Sequence, residues 1–304
     1  MHVFVTGATG FIGSAVVREL LGAGHRVTGL ARSDSSAAAL TAAGAEVRRG
    51  ALDDPDSLRE GAAAADGVAH FAFVHDLSAD FDFAAACAAD LRAVEAIGTA
   101  LEGSGKPFVM SSGTALLQPG RVGTEEDTAP PESFGAVRAR NEDAAVALAD
   151  RGVRSAAVRF SPTVHDRGDK GFVSMLIGTA REKGFAAHVG DGANRWPAVH
   201  RTDAARLVRL ALESAPAGSR LHAVADEGVP FRDIAAVIGR HLDVPVRSIP
   251  AEGAPAHFGW LANVVGLDVP ASNTLTRKWL GWEPTGPGLI EDLEEGHYFD
   301  QAHS

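Results

Sequence analysis

Val3-Phe4-Val5-Thr6-Gly7-Ala8-Thr9-Gly10-Phe11-Ile12-Gly13 begins with an apolar run and then places glycines at every third position, directly before a stretch of helical periodicity. Such a run reads as a strand, a tight turn and a helix start. Gly7 permits the turn, Gly10 lets backbone N–H groups approach an anion, and Gly13 lets the helix lie close on the strand. The start of the helix adds unpaired donors and a partial positive charge. Three glycines alone are a weak signal; between the first strand and first helix of a βαβ unit they are a specific one for a dinucleotide pyrophosphate. Gly7, Thr9, Gly10, Phe11, Ile12 and Gly13 are therefore the first candidate cofactor residues.

Outward from this turn, short apolar runs alternate with amphipathic stretches. Strands are predicted at His2–Thr6, Arg26–Leu30, Glu46–Arg48, Gly67–Phe71, Pro107–Ser111 and Ser155–Arg159. Helices are predicted at Phe11–Ala23, Ser36–Ala42, Pro55–Ala64, Phe83–Glu102 and Phe134–Ala149. Strand and helix in alternation imply right-handed crossovers and a parallel sheet covered on both faces. The fold class is α/β, a Rossmann-type doubly wound parallel sheet with a smaller C-terminal substrate lobe. Residues 1–160 form the dinucleotide-binding domain, later segments near 185–223 return to it, and 161–304 form most of the lobe. In that second part helices are expected at Gly171–Lys183, Thr202–Glu213 and Phe231–His241, with short strands and dense Pro/Gly punctuation. The irregular stretch Gln118–Pro131 reads as a loop bordering the site.

Bulk properties narrow the function. Of 304 residues, 45% are hydrophobic and 22% charged, an ordinary globular composition. The net charge of −11, with no basic face, argues against a nucleic-acid partner. Cys87 is the sole cysteine, so no internal disulfide forms and a reducing cytoplasm is the expected compartment. The first strand starting at His2 leaves no room for a signal peptide in this reading. No apolar run nears the roughly 20 residues that span a bilayer. No metal-binding spacing is present, and Gly-x-Ser-x-Gly is absent.

The tip of the second strand reads Gly29-Leu30-Ala31-Arg32-Ser33. An acid there would grip the ribose hydroxyls of NAD; Arg32 and Ser33 suit a 2′-phosphate instead, which favours NADP. Asp34 keeps NAD open.

Several further segments resemble the extended or atypical short-chain dehydrogenase/reductases, the NAD-dependent epimerase/dehydratase group. Gly50-Ala51-Leu52-Asp53-Asp54 is similar to the segment beside the adenine, with Ala51 in place of the usual acid. His70-Phe71-Ala72 resembles the fourth-strand end that lines the cofactor, and Phe73 follows it. Val109-Met110-Ser111-Ser112 resembles the fifth-strand end with the active-site serine. Arg159-Phe160-Ser161-Pro162-Thr163-Val164-His165 resembles the segment that meets the nicotinamide, and Arg195–Asp203 the late Val-His-x-x-Asp stretch. The resemblance implies that Leu52, Asp53, Phe71, Ala72, Phe73, Ser111, Pro162, Thr163 and Val164 touch the cofactor. It also implies a small-molecule substrate against Thr114, Phe134 and Trp196, and pairing of the two long helices as a homodimer.

The family's Tyr-x-x-x-Lys signature aligns with Phe134-Gly135-Ala136-Val137-Arg138, and Glu142 keeps the acid four places on. Phe134 has no ionisable hydroxyl, and the one tyrosine, Tyr298, is far away in sequence. Arg138 can hold the ribose, but its pKa is too high for a proton shuttle. Ser112 is then expected to polarise a carbonyl, and His165 or His75 to supply the proton. The resulting expectation is an NAD(P)-dependent oxidoreductase acting on a carbonyl or secondary alcohol. A non-catalytic NADP-sensing module and a redox-neutral epimerase or dehydratase stay open beside it.

Overall fold

The structure, a computed structural model, describes residues 1–74, 82–133 and 135–300. His75 and Phe134 lie outside them. The first six strands are β1 (His2–Thr6), β2 (Arg26–Ala31), β3 (Glu46–Arg49), β4 (Gly67–His70), β5 (Pro107–Gly113) and β6 (Arg154–Phe160). Between them run α1 (Phe11–Gly22), α2 (Asp34–Ala42), α3 (Pro55–Ala64), α4 (Phe83–Leu101) and α5 (Ala136–Ala147). After β6 come β7 (Thr163–His165), α6 (Phe172–Lys183), β8 (Ala186–Val189), β9 (Arg195–His200), α7 (Arg201–Ser214), β10 (Ser219–Ala223), β11 (Asp226–Pro230), α8 (Phe231–Leu242) and β12 (Val246–Ile249). Four short helices finish the described chain: α9 (Ala254–Phe258), α10 (Ala262–Val265), α11 (Thr274–Leu280) and α12 (Leu289–Glu294).

Seven parallel strands form the main sheet in the order β10-β6-β5-β4-β1-β2-β3. The chain moves outward from β1 to β3, then returns to lay β4 on the other edge of β1. The direction of winding thus reverses at the β1–β4 junction, and the carboxyl ends at such a reversal are where doubly wound sheets take their ligands. Because both faces are covered, alternate residues of one strand enter different cores. Val3, Val5, Val109 and Val158 pack under α1 and α7. Phe4, Val68, Phe108 and Met110 pack under α3, α4 and α5. Polar starts fix the helices locally: Ser33 caps α2, Asp54 caps α3 ahead of Pro55, and Asp82 caps α4.

The C-terminal lobe has its own core and two small sheets, β11-β9-β7 and β12-β8. Of the segment 185–223, only α7 and β10 lie on the main sheet. β8 and β9 pair within the lobe, so the return to the first domain is shorter than the sequence suggested. Trp196 also departs from expectation. It is 1% exposed, wedged between Phe172 and Phe231 with ring centroids 5.6 and 5.0 Å away, and so fills the lobe core rather than walling a pocket. Trp282 returns to the first domain, where its indole donates to Asp203 O. No helix among the described residues is long and apolar enough to cross a membrane.

Candidate active site

The crevice begins at the glycine turn, where two glycines are dictated by the protein itself. Gly7 has φ +64°, and a Cβ there would lie 2.6 Å from Phe71 C and 2.7 Å from Ala72 N. A Cβ on Gly13 would lie 2.1 Å from Gly7 O. Gly10 is less crowded, with one contact, Gly7 O, at 3.2 Å, so its missing side chain opens the outer side of the turn. Gly10 caps α1 without a side-chain hydrogen bond, and the first turn carries no acid. The Phe11, Ile12 and Gly13 amides have no acceptor one turn earlier in the helix. These donors and the open side of Gly10 fit a pyrophosphate.

At the β2 tip, the Ser33 hydroxyl accepts from Ser36 N at 3.2 Å. Arg32 is exposed, and it has no hydrogen bond or ion pair among the described residues. Asp34, the residue that kept NAD open, is ion-paired with Arg49 on β3. Leu52 is half-buried and Asp53 exposed, while Asp54 accepts from Ser57 N at 3.2 Å.

Behind β4 lies a buried polar chain. The Thr6 hydroxyl accepts from the Phe71 and Ala72 amides at 3.2 and 3.1 Å and meets His70 Nδ1 at 2.8 Å. His70 Nε2 faces Asp90 Oδ1 at 3.2 Å. The other Asp90 oxygen takes Arg138 Nη1 and, at 2.7 Å, Asn141 Nδ2. Burial works to raise the Asp90 pKa, but His70, Arg138 and Asn141 outweigh it and hold the carboxyl below its ordinary value. Arg138 also donates Nη2 to Ser111 O at 2.8 Å and lies over the Phe73 ring at 4.4 Å. Its guanidinium is thus turned inward, and the fork expected on the ribose is largely occupied by protein. Asp90 and Asn141 were not among the sequence candidates. Asp90 was detectable as an acid within the buried Ala86, Cys87, Ala93, Val94 stripe of α4.

Ser112 reaches a second buried network. Its hydroxyl donates to Glu142 Oε2. Glu142 also accepts from Arg159 Nη2 at 2.6 Å and from Arg220 Nε at 2.8 Å. Burial would raise the Glu142 pKa; Arg159, Ser112 and Arg220 more than offset it, and the carboxyl is held below its usual value. Arg159, 1% exposed, further donates to Asp127 O at 2.8 Å and meets His222 Nε2 at 3.3 Å. Burial and the Arg159 charge push His222 down to about 4. With its hydroxyl donated to a carboxylate, Ser112 presents its oxygen as an acceptor, not the carbonyl-polarising donor expected.

The segment after β6 also corrects the sequence reading. His165 is fully buried, with Nδ1 on Asp292 Oδ2 at 2.8 Å, so it ties α12 to β7 and is not open to the crevice. The Thr163 hydroxyl donates to Pro197 O at 2.6 Å, and Val164 packs in the core. Thr114 is buried with its hydroxyl toward Phe160 O at 3.4 Å. Of Pro162, Thr163 and Val164, Pro162 alone remains half-exposed. Phe71 stands edge-on to Phe160 at 6.1 Å. His75 and Phe134, the remaining sequence candidates here, fall outside the described residues.

The chain is similar to proteins of several organisms. It is 49% identical to an uncharacterised protein of Schizosaccharomyces pombe over 98% of this chain and all of that one. A 3-diazoavenalumate denitrifying reductase of a Streptomyces species is 31% identical over 96% of this chain and 99% of its own. A farnesyl dihydroquinoline-oxide ketoreductase of Stigmatella aurantiaca is 27% identical over 89% and 84%. A solved double mutant of the dTDP-glucose 4,6-dehydratase of Streptomyces venezuelae, with NAD bound, superposes with a TM-score of 0.77 at 20% identity, covering 99% of this chain and 97% of that one. The family model for NAD dependent epimerase/dehydratases matches residues 3–224, and the chain belongs to that family.

Proposed function

We propose that this protein is an NADP-dependent oxidoreductase that interconverts a secondary alcohol and a carbonyl on a small substrate. The observation that carries the reading is the uncapped glycine turn with Arg32 at the β2 tip, without a partner among the described residues, and Asp34 turned to an exposed pair with Arg49. A 2′-phosphate finds a cation and the α2 start there. Bound at the carboxyl ends of β4, β5 and β6, a nicotinamide would supply the hydride acceptor or donor. The protein's part is to hold the reacting oxygen and manage its proton. The Ser112 hydroxyl donates to the ionised Glu142, which leaves its oxygen free to accept from the substrate hydroxyl; as hydride leaves the carbinol carbon, the substrate proton would pass to Ser112 Oγ and the Ser112 proton to Glu142 Oε2. An alcohol therefore matches the resting site better than a carbonyl, which would require Ser112 to rotate off Glu142. The names of the Streptomyces and Stigmatella relatives, both reductases, support hydride chemistry over epimerisation. A binding-only module is favoured by one observation, the engagement of Arg138 by Asp90.

Single-turnover reaction of NADPH carrying deuterium at C4 with a panel of carbonyl compounds separates the two. Deuterium at the carbinol carbon of a product is the expected result. Tight NADPH binding with no label in any product would overturn the catalytic reading.

A further inference from the structure

Arg201, the first residue of α7, stacks on the residue that follows the glycine turn and has no part in the chemistry above. Its guanidinium carbon lies 4.4 Å over the ring of Phe11, the first residue of α1. Nε and Nη2 both bind Asp166 Oδ2, at 3.0 and 2.8 Å. Nη1 has no partner among the described residues, and the side chain is 16% exposed. Asp166 follows β7 directly; its other oxygen takes the Arg167 amide at 2.6 Å and faces His200 Nε2 at 3.6 Å.

This is a costly place to hold a cation. α1 and α7 pack side by side, and Phe11 and Arg201 open them, so two positive helix ends flank the guanidinium. One carboxylate, shared with His200, offsets them. The Phe11 stack adds a cation–π contact and fixes the guanidinium plane. A dianionic pyrophosphate on the first-turn amides would meet the spare Nη1 edge and complete the charge balance.

We propose that Arg201, oriented by Asp166 and Phe11, is a positioning residue that clamps the cofactor pyrophosphate from the side opposite the glycine turn. The proposal rests on the cofactor reading above. It assigns to the C-terminal half a direct hold on the dinucleotide.

The test is equilibrium titration of wild type, Arg201→Ala and Arg201→Lys with NADPH and with adenosine 2′-monophosphate, which lacks the pyrophosphate. Arg201→Ala is expected to weaken NADPH about 10- to 50-fold while leaving adenosine 2′-monophosphate within about twofold. Arg201→Lys, which keeps charge but loses the fork, should fall between. Unchanged NADPH affinity in Arg201→Ala would overturn the clamp, as would an equal loss for both ligands. If the alanine variant does not fold, wild-type NADPH affinity in Arg201→Lys would overturn it too. Wild-type protein that binds neither ligand would instead refute the cofactor reading itself.

Discussion

Replacing Gly13 with alanine is expected to abolish useful cofactor binding and to destabilise the fold by about 2–4 kcal/mol, near the upper end for overpacking a rigid site. The new Cβ would sit 2.1 Å from Gly7 O, 2.9 Å from Gly7 C and 3.2 Å from Ala8 Cα. All three are backbone atoms of the turn, so no side chain can swing aside. Either α1 lifts from the sheet or the turn opens, and each moves the first-turn amides away from the phosphates. A melting-temperature drop of roughly 5–10 °C and at least about 100-fold weaker NADPH binding, near 3 kcal/mol, are the expected readouts. Gly178→Ala is the control. Gly178 lies in the exposed middle of α6 with open space around it, so alanine there should stabilise by about 0.5–1 kcal/mol. Wild-type melting and affinity in Gly13→Ala would contradict this account of the turn.

Glu142→Gln is expected to cost about 3–5 kcal/mol, the usual penalty for removing one partner of a buried ion pair. Glu142 is the carboxylate shared by Arg159 and Arg220 and the acceptor for Ser112. Glutamine keeps the shape but leaves the almost fully buried Arg159 guanidinium without its anion. His222 cannot compensate, because its Nε2 is the only acceptor it turns toward Arg159. Thermal melting should fall by roughly 10 °C for a chain of this size. The same change frees the Ser112 hydroxyl to donate, so carbonyl compounds should bind more tightly relative to alcohols, with the reaction's equilibrium unchanged. A melting curve equal to wild type would show that the network is not the support described.

How far the sequence could be read follows from where the partners of each residue lie. The parallel strands are buried on both faces, so Val3-Phe4-Val5 and Phe108-Val109-Met110 stand out as apolar runs, and their limits fall within a residue or two of the observed ones. The small strands of the lobe carry no such signal. β9 is an apolar run like the others, yet it pairs with β7 and β11, which local pattern does not reveal. His165 shows the same limit at the site. A histidine just past β6 is chemically suited to proton transfer, but its partner Asp292 lies 127 residues away in sequence. Trp196 was misread because Phe172 and Phe231 close around it from two different helices. Glu142 was noticed by spacing alone; its bond to Ser112, which changes what the serine can do, required the β5–α5 packing.

The central claim is that the glycine turn and the β2 tip together hold a nicotinamide dinucleotide bearing a 2′-phosphate. Its most direct measurement is calorimetric titration of the protein with NADPH and with NADH, repeated on Arg32→Ala. NADPH should bind one to one and about tenfold or more tighter than NADH, a margin of at least 1.4 kcal/mol. Arg32→Ala should erase that margin and leave NADH unchanged. Equal affinity of the wild-type protein for both cofactors would contradict the 2′-phosphate site, and no binding of either would contradict the claim as a whole.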